Sequence, residues 1–141
     1  MYEPRPIRTS DIDKGYLDLL DQLSETHLTR EHGAIILTDM IGDPNIDIFV
    51  VEYKGKIIGC VTSLYEQKLI HGGASVCHCE DLIVDKEYRG QSISHILINH
   101  QLKQAKKNGC YKMVLSCNDY VADIHEYLGG YRHENSIRYD L

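Results

Sequence analysis

The segment that most limits how this chain can fold runs from Val76 to Asn108. An apolar strand, Val76 to Val84, ends in the turn Asp85-Lys86-Glu87-Tyr88-Arg89-Gly90-Gln91, and a helix from Ser92 to Asn108 follows with no linker between them. A strand that feeds a helix through so short a turn belongs to a layered α/β arrangement, with the helix packed back on the sheet. That helix carries Ile93, Ile96, Leu97, Ile98, Leu102 and Ala105 over a wide arc and is expected to be buried. The turn is also an anion site. The first helical N–H groups have no partner within the helix and lie at the positive end of its dipole, and Arg89 adds a fixed charge, so a pyrophosphate fits there. Glu80 and Asp81 precede the turn on the same strand, an acidic pair suited to a cationic or amine substrate.

The remaining elements read as follows. After an extended start at Ile7-Arg8, Ser10 and Asp11 look like caps of a first helix, and Ile12, Tyr16, Leu19, Leu20 and Leu23 recur at helical spacing to about Ser24. Thr29 caps a second helix through Ala34, Ile35, Leu37 and Met40 that stops near Gly42. Strands Ile46 to Tyr53 and Ile57 to Glu66 flank the hairpin turn Lys54-Gly55-Lys56, and Lys68 to Ala74 is a connection broken at Gly72-Gly73. Gly109 ends the long helix, Tyr111 to Ser116 is a further strand, Val121 to Leu128 a short helix, and Tyr131 to Tyr139 a closing strand after the Gly129-Gly130 break. The order β-α-α-β-β-β-α-β-α-β is expected to form one α/β (α+β) domain over residues 1–141.

Composition narrows the function. A chain of 141 residues that is 43% hydrophobic can bury one real core. A net charge of −6 removes any whole-protein attraction for nucleic acid or acidic membranes, so a polyanion must be held by a local patch. Lys103, Lys106 and Lys107 read as a solvated helix face, in contrast to Arg89. With no signal-peptide pattern and no apolar run of membrane-spanning length, a soluble cytoplasmic protein is expected. Five irregularly spaced cysteines fit reduced thiols, with Cys60 and Cys110 in the core. Cys77-His78-Cys79 lacks the two-residue turn that closes a chelate, so no metal site is expected.

Taken together, the element order, the turn Arg89-Gly90-Gln91-Ser92-Ile93-Ser94, and the segments Gln22-Leu23-Ser24-Glu25-Thr26, Lys68-Leu69-Ile70-His71, Glu80-Asp81-Leu82 and Cys110-Tyr111-Lys112 resemble the GNAT superfamily of N-acetyltransferases. Within it the chain resembles the glucosamine 6-phosphate N-acetyltransferases, over roughly residues 7 to 128. The resemblance implies a GNAT fold with a mixed sheet splayed between its fourth and fifth strands. It implies acetyl-CoA held by Leu82, Ile83, Val84, Arg89, Gly90, Gln91, Ser92, Ile93 and Ser94. It implies an amino sugar phosphate held by Ser24, Lys68, Leu69, Ile70, His71, Glu80, Asp81, Leu82, Tyr111, Lys112 and Arg138, toward UDP-N-acetylglucosamine. A homodimer with shared active sites is implied as well, with Tyr111-Lys112 reaching across the interface. The acceptor could be another small amine, or the chain a non-catalytic acyl-CoA-binding module.

Departures from the family pattern bear on mechanism. Ser92 and Ser94 replace the two usual glycines, and a serine tolerates helical dihedrals. Ser116 stands where the family commonly has an acidic residue. His125 stands where the family has the tyrosine that serves the leaving thiolate, and a histidine can donate a hydrogen bond or proton there. Tyr127 lies about 200° away around the helix. Glu80 and Asp81 should point to opposite faces of their strand unless a bulge intervenes. An apolar strand is a costly place for Glu80, which favours a functional role for it beside Asp81 and His125.

Overall fold

Alternating apolar residues on the central strands divide the interior in two. Along β2 (Ile46–Tyr53), Ile48 and Val50 face one core and Phe49 and Val51 the other, the two-residue period of a strand buried on both sides. The computed structural model describes residues 1–141 and sets five strands in sequence order: β1 (Pro4–Pro6), β2, β3 (Lys56–Gln67), β4 (Ser75–Val84) and β5 (Cys110–Val114). Neighbours are antiparallel except the parallel pair β4 and β5. Helices α1 (Tyr16–Asp21) and α2 (Arg30–Gly42) close one core through Tyr16, Leu17, Leu19 and Leu37. On the other face α4 (Ile93–Lys107) packs Ile93 and Leu97 on Phe49, Val51, Val61 and Cys79. The four-residue turn α3 (Ile70–Gly73) joins β3 to β4, and α5 (Asp119–Tyr127) follows β5.

Gly59 lets α4 lie this close to the sheet. A Cβ there would stand 2.9 Å from Ile93 Cγ2 and 3.2 Å from Leu97 Cδ1, below ordinary contact. At the opposite edge a charge cluster fastens the first strand. Arg5 donates to both carboxylate oxygens of the fully buried Asp11, at 2.9 and 2.8 Å, and the Arg8 N–H adds a third bond at 2.8 Å. Arg5 and Lys14 also meet Glu52 on β2. Burial pushes the Asp11 carboxyl up, but the Arg5 guanidinium, the Arg8 N–H and Lys14 outweigh it and hold the group below the usual carboxylate range.

Two expectations need correction. The first helix is not continuous to Ser24: Thr9–Lys14 form a 3-10 turn, Gly15 at φ +82° breaks the chain direction, and α1 begins after it. Asp11 caps that turn from a buried position, as the centre of the charge cluster. Nor do Tyr131 to Tyr139 form a closing strand; they are exposed and unpaired with the sheet. Arg132 supplies the physical reason, because it reaches Asp119, Asp123 and Glu126 on α5 at 2.7, 2.9 and 3.1 Å and holds the start of the segment against that helix. No helix is long and apolar enough to cross a membrane.

Asp11→Asn should cost roughly 3 kcal/mol at neutral pH, since it leaves Arg5 facing an uncharged buried partner. The carboxylate's contribution is full above the unfolded value of about 3.9 and drains as pH falls toward the lower folded value. Urea titrations at several pH values should therefore show the gap between wild type and variant closing in acid.

Candidate active site

β4 loses one neighbour halfway along. β5 pairs with it only from Ser75 opposite Cys110 to His78 opposite Val114, so Cys79–Val84 have no strand on that side. The main-chain groups of this half strand that point toward the gap are open to a ligand that pairs with them as a strand would. The expected splay between the fourth and fifth strands is this gap.

A bulge lies within the open half. Cys60 pairs with Ile83 and Thr62 with Glu80, so Val61 alone stands opposite Asp81 and Leu82, and Asp81 takes φ +49°. The consequence is visible in the two cores: Cys79, Leu82 and Val84 all join the α4 side, which strict alternation forbids, while Ile83 joins the other. Glu80, one residue past Cys79, therefore points to the α1 side. Asp81 lies there too, beside Tyr16 and Cys60, whose thiol donates to its carbonyl at 3.5 Å. The two carboxylates share one face because the strand carries an extra residue. Both are exposed, so the desolvation cost expected for Glu80 does not arise. Burial, then Asp81, pushes the Cys60 thiol up to about 12, which leaves it an inert packing group.

The turn after β4 is held from three sides. Asp85, 1% exposed, pairs with Lys56 at 2.8 Å, accepts from the Glu87 N–H at 3.0 Å, and donates its own N–H to the Ile58 carbonyl at 2.9 Å. Gln22, just past α1, accepts from the Lys86 N–H at 3.0 Å, which brings the Ser24 loop toward the end of β4. Tyr2 donates to the Gln91 side chain, and Arg89 donates to the Val84 carbonyl at 3.1 Å. Gly90 has φ +78° and nothing within 4 Å of where a Cβ would sit, so the approach to the helix mouth is open there. Asp85 had a legible signal, a capping-type residue directly before a turn. Tyr2 had none, because its partner is 89 positions away.

Ser92 departs from expectation. It caps α4 in the left-handed region, φ +62°, with no side-chain capping bond, so it does not adopt helical dihedrals. Ser94 lies within the first turn of α4. The unused Ser92 hydroxyl leaves the first-turn N–H groups free for an anion.

The other expected residues separate into groups. His71 stacks on Tyr111 with ring centroids 4.0 Å apart, and Lys112 lies over the same ring at 5.6 Å. Lys68 is ion-paired with Glu66, which also meets His78 at 2.8 Å. Leu69 and Ile70 are exposed beside them. This group is at the start of β4, about 13 Å along the strand from Glu80 given four residues of rise. Arg138 lies apart in the exposed final segment, bonded to Asp140 at 2.7 Å. Ser116 donates to Ser136 at 3.3 Å. His125 is half-buried on the inner side of α5 with Nε2 shielded and unpartnered. Tyr127 is 82% exposed and stacks on His95 at 6.0 Å. Burial, then the neighbouring His95, lowers the His125 pKa below its ordinary 6.5.

A serine in the left-handed region costs on the order of 1 kcal/mol that glycine does not. Ser92→Gly should raise stability by about that amount in a denaturant titration, with α4 unchanged.

Residues 13–129 match the family model described as Acetyltransferase (GNAT) family. The chain is 33% identical to a probable glucosamine 6-phosphate N-acetyltransferase of Drosophila melanogaster over 96% of its own length, and spans 66% of the fly protein. It is 30% identical to the glucosamine 6-phosphate N-acetyltransferase of Trypanosoma brucei brucei, covering 99% of this chain and 95% of that one. The crystal structure of glucosamine-6-phosphate N-acetyltransferase from Arabidopsis thaliana superposes with a TM-score of 0.94 at 25% identity, covering 99% of this chain and 98% of that chain. With its splayed fourth and fifth strands and its helix-mouth turn, the chain belongs to the GNAT family of acetyltransferases.

Proposed function

We propose that this chain transfers the acetyl group of acetyl-CoA to the amine of D-glucosamine 6-phosphate by direct attack, giving N-acetyl-D-glucosamine 6-phosphate. The bulge at Asp81 carries the reading: it aims two carboxylates to one side of a strand whose other edge is open, next to an anion-binding helix mouth. Acetyl-CoA would supply an activated acetyl thioester. The residues present suit it, with free N–H groups at the start of α4, Arg89 beside them, open space above Gly90 and an unpaired strand edge from Cys79 to Val84.

Each part of the transfer then has a group. Glu80 and Asp81 hold the ammonium and sugar hydroxyls. A main-chain N–H near Leu82 or Ile83 donates to the thioester carbonyl oxygen as negative charge develops on it. The ammonium first gives a proton to water so that the neutral amine attacks, and the proton shed by nitrogen after attack passes through water to the departing sulfur. His125 offers Nε2 as a hydrogen-bond donor to the departing thiolate; the atom has no protein partner, and the side chains that shield it must part for the sulfur to reach it. Because its pKa is lowered, the ring is neutral at physiological pH and acts as a donor, not as an acid.

The phosphate-suited residues Lys68, His71, Tyr111 and Lys112 lie away from the acids of their own chain. They serve a second copy in a homodimer, with Arg138 as a further candidate. The free outer edge of β5 and the exposed Tyr131, Ile137 and Tyr139 support a covering subunit. Sedimentation should give twice the chain mass, and a monomer at micromolar concentration would remove this part of the reading.

Thiol release from acetyl-CoA should depend on glucosamine 6-phosphate. Release only with other amines, or binding without release, would replace the proposal. His125→Phe should lower kcat roughly 10- to 100-fold, the worth of one hydrogen bond to a charged group. Wild-type kcat should not fall between about pH 6.5 and 8.5, whereas an imidazolium acid would lose close to tenfold per pH unit above its pKa.

A further inference from the structure

On the inner stripe of α4 the residues Ile93, Leu97, Gln101 and Ala105 recur every four positions, and all four are buried. Gln101 is the polar member and is fully enclosed. Its Nε2 donates to the Thr62 carbonyl at 3.1 Å and the Ser63 hydroxyl at 2.9 Å, while Oε1 has no partner. A buried amide with one unmet acceptor costs about 1–3 kcal/mol, which methionine or leucine of similar volume would avoid. As core filling, the amide is the worse choice.

Its position shows what it provides. Thr62 is the β3 residue that pairs with Glu80, directly beside the point where Val61 faces both Asp81 and Leu82. A bulge is free to migrate: moving the extra residue by one place along β4 would turn a carboxylate to the other face and shift the N–H groups near Leu82. The long helix brackets the bulge on both sides. On one side Gly59 lets Ile93 and Leu97 seat directly against the strand. On the other, Gln101 grips the backbone at Thr62 and Ser63. From the opposite face the Cys60 thiol holds the Asp81 carbonyl.

We propose that Gln101 is a positioning residue that locks the β3–β4 bulge in register, and so sets where Glu80, Asp81 and the neighbouring main-chain donors meet the acceptor. It touches no substrate. The inference rests on the proposed function for its kinetic consequence, though not for the register itself.

Gln101→Met removes the donor at nearly constant volume. The variant loses two donated bonds together with one unmet acceptor and should remain folded at assay temperature, yet kcat/KM for glucosamine 6-phosphate should fall by about tenfold or more. The Asp81 and Leu82 backbone carbon and amide NMR shifts should move away from their left-handed-bulge values. Unchanged shifts, or kinetic losses that only track the unfolded fraction, would overturn the proposal. Gln101→Glu gives a second readout: the protonated acid can donate to Thr62 and the ionised one cannot, so its activity relative to wild type should decline as pH rises. A flat ratio would also overturn it. Should wild type show no turnover with glucosamine 6-phosphate, the functional reading fails while the NMR comparison still decides the role of Gln101.

Discussion

A strand needs two neighbours to satisfy its backbone, and β4 has two only as far as His78. Every property of the site follows from that shortfall. The unpaired half must be rigid enough not to collapse on itself, and it must keep an edge facing a ligand. Rigidity comes from β3, which continues alongside it, and from two cores that grip the strand from above and below. The bulge adds local twist where the second neighbour is missing and aims two acids in one direction.

The supporting contacts are mostly far apart in sequence. Lys56 on the hairpin meets Asp85 at the far end of β4, Gln22 follows α1, and Tyr2 comes from the first residues of the chain. Each fixes a different atom of the turn that precedes α4. The helix in turn fixes the strand through Gly59 and Gln101, so turn, helix and strand form one mechanical unit.

The strand–turn–helix unit was legible because its signals are local: an apolar run, a charged turn and a wide hydrophobic arc. The element order was legible for the same reason, up to α5. Three features were not. Gly15 breaks the first helix although Ile12 before it and Tyr16, Leu19 and Leu20 after it keep helical spacing, because periodicity registers which residues are buried and not whether the backbone turns between them. The alternation in Tyr131 to Tyr139 suggests a strand, but a strand forms only with a partner, and Arg132 finds three carboxylates on α5 instead. The left-handed Ser92 was hidden because serine gives no sign of positive φ. Gln101 did leave a trace, a polar residue on an otherwise apolar four-residue stripe. Its meaning depends on which strand lies beneath it, and that is a tertiary fact.

The tie between Lys56 and Asp85 joins two places that look independent on the surface. The tight reversal at Lys54-Gly55 is the sort of exposed bend into which an affinity tag or a reporter loop is routinely spliced. Here such a graft would tug on the lysine beside it and, through Asp85, loosen the turn that opens into α4.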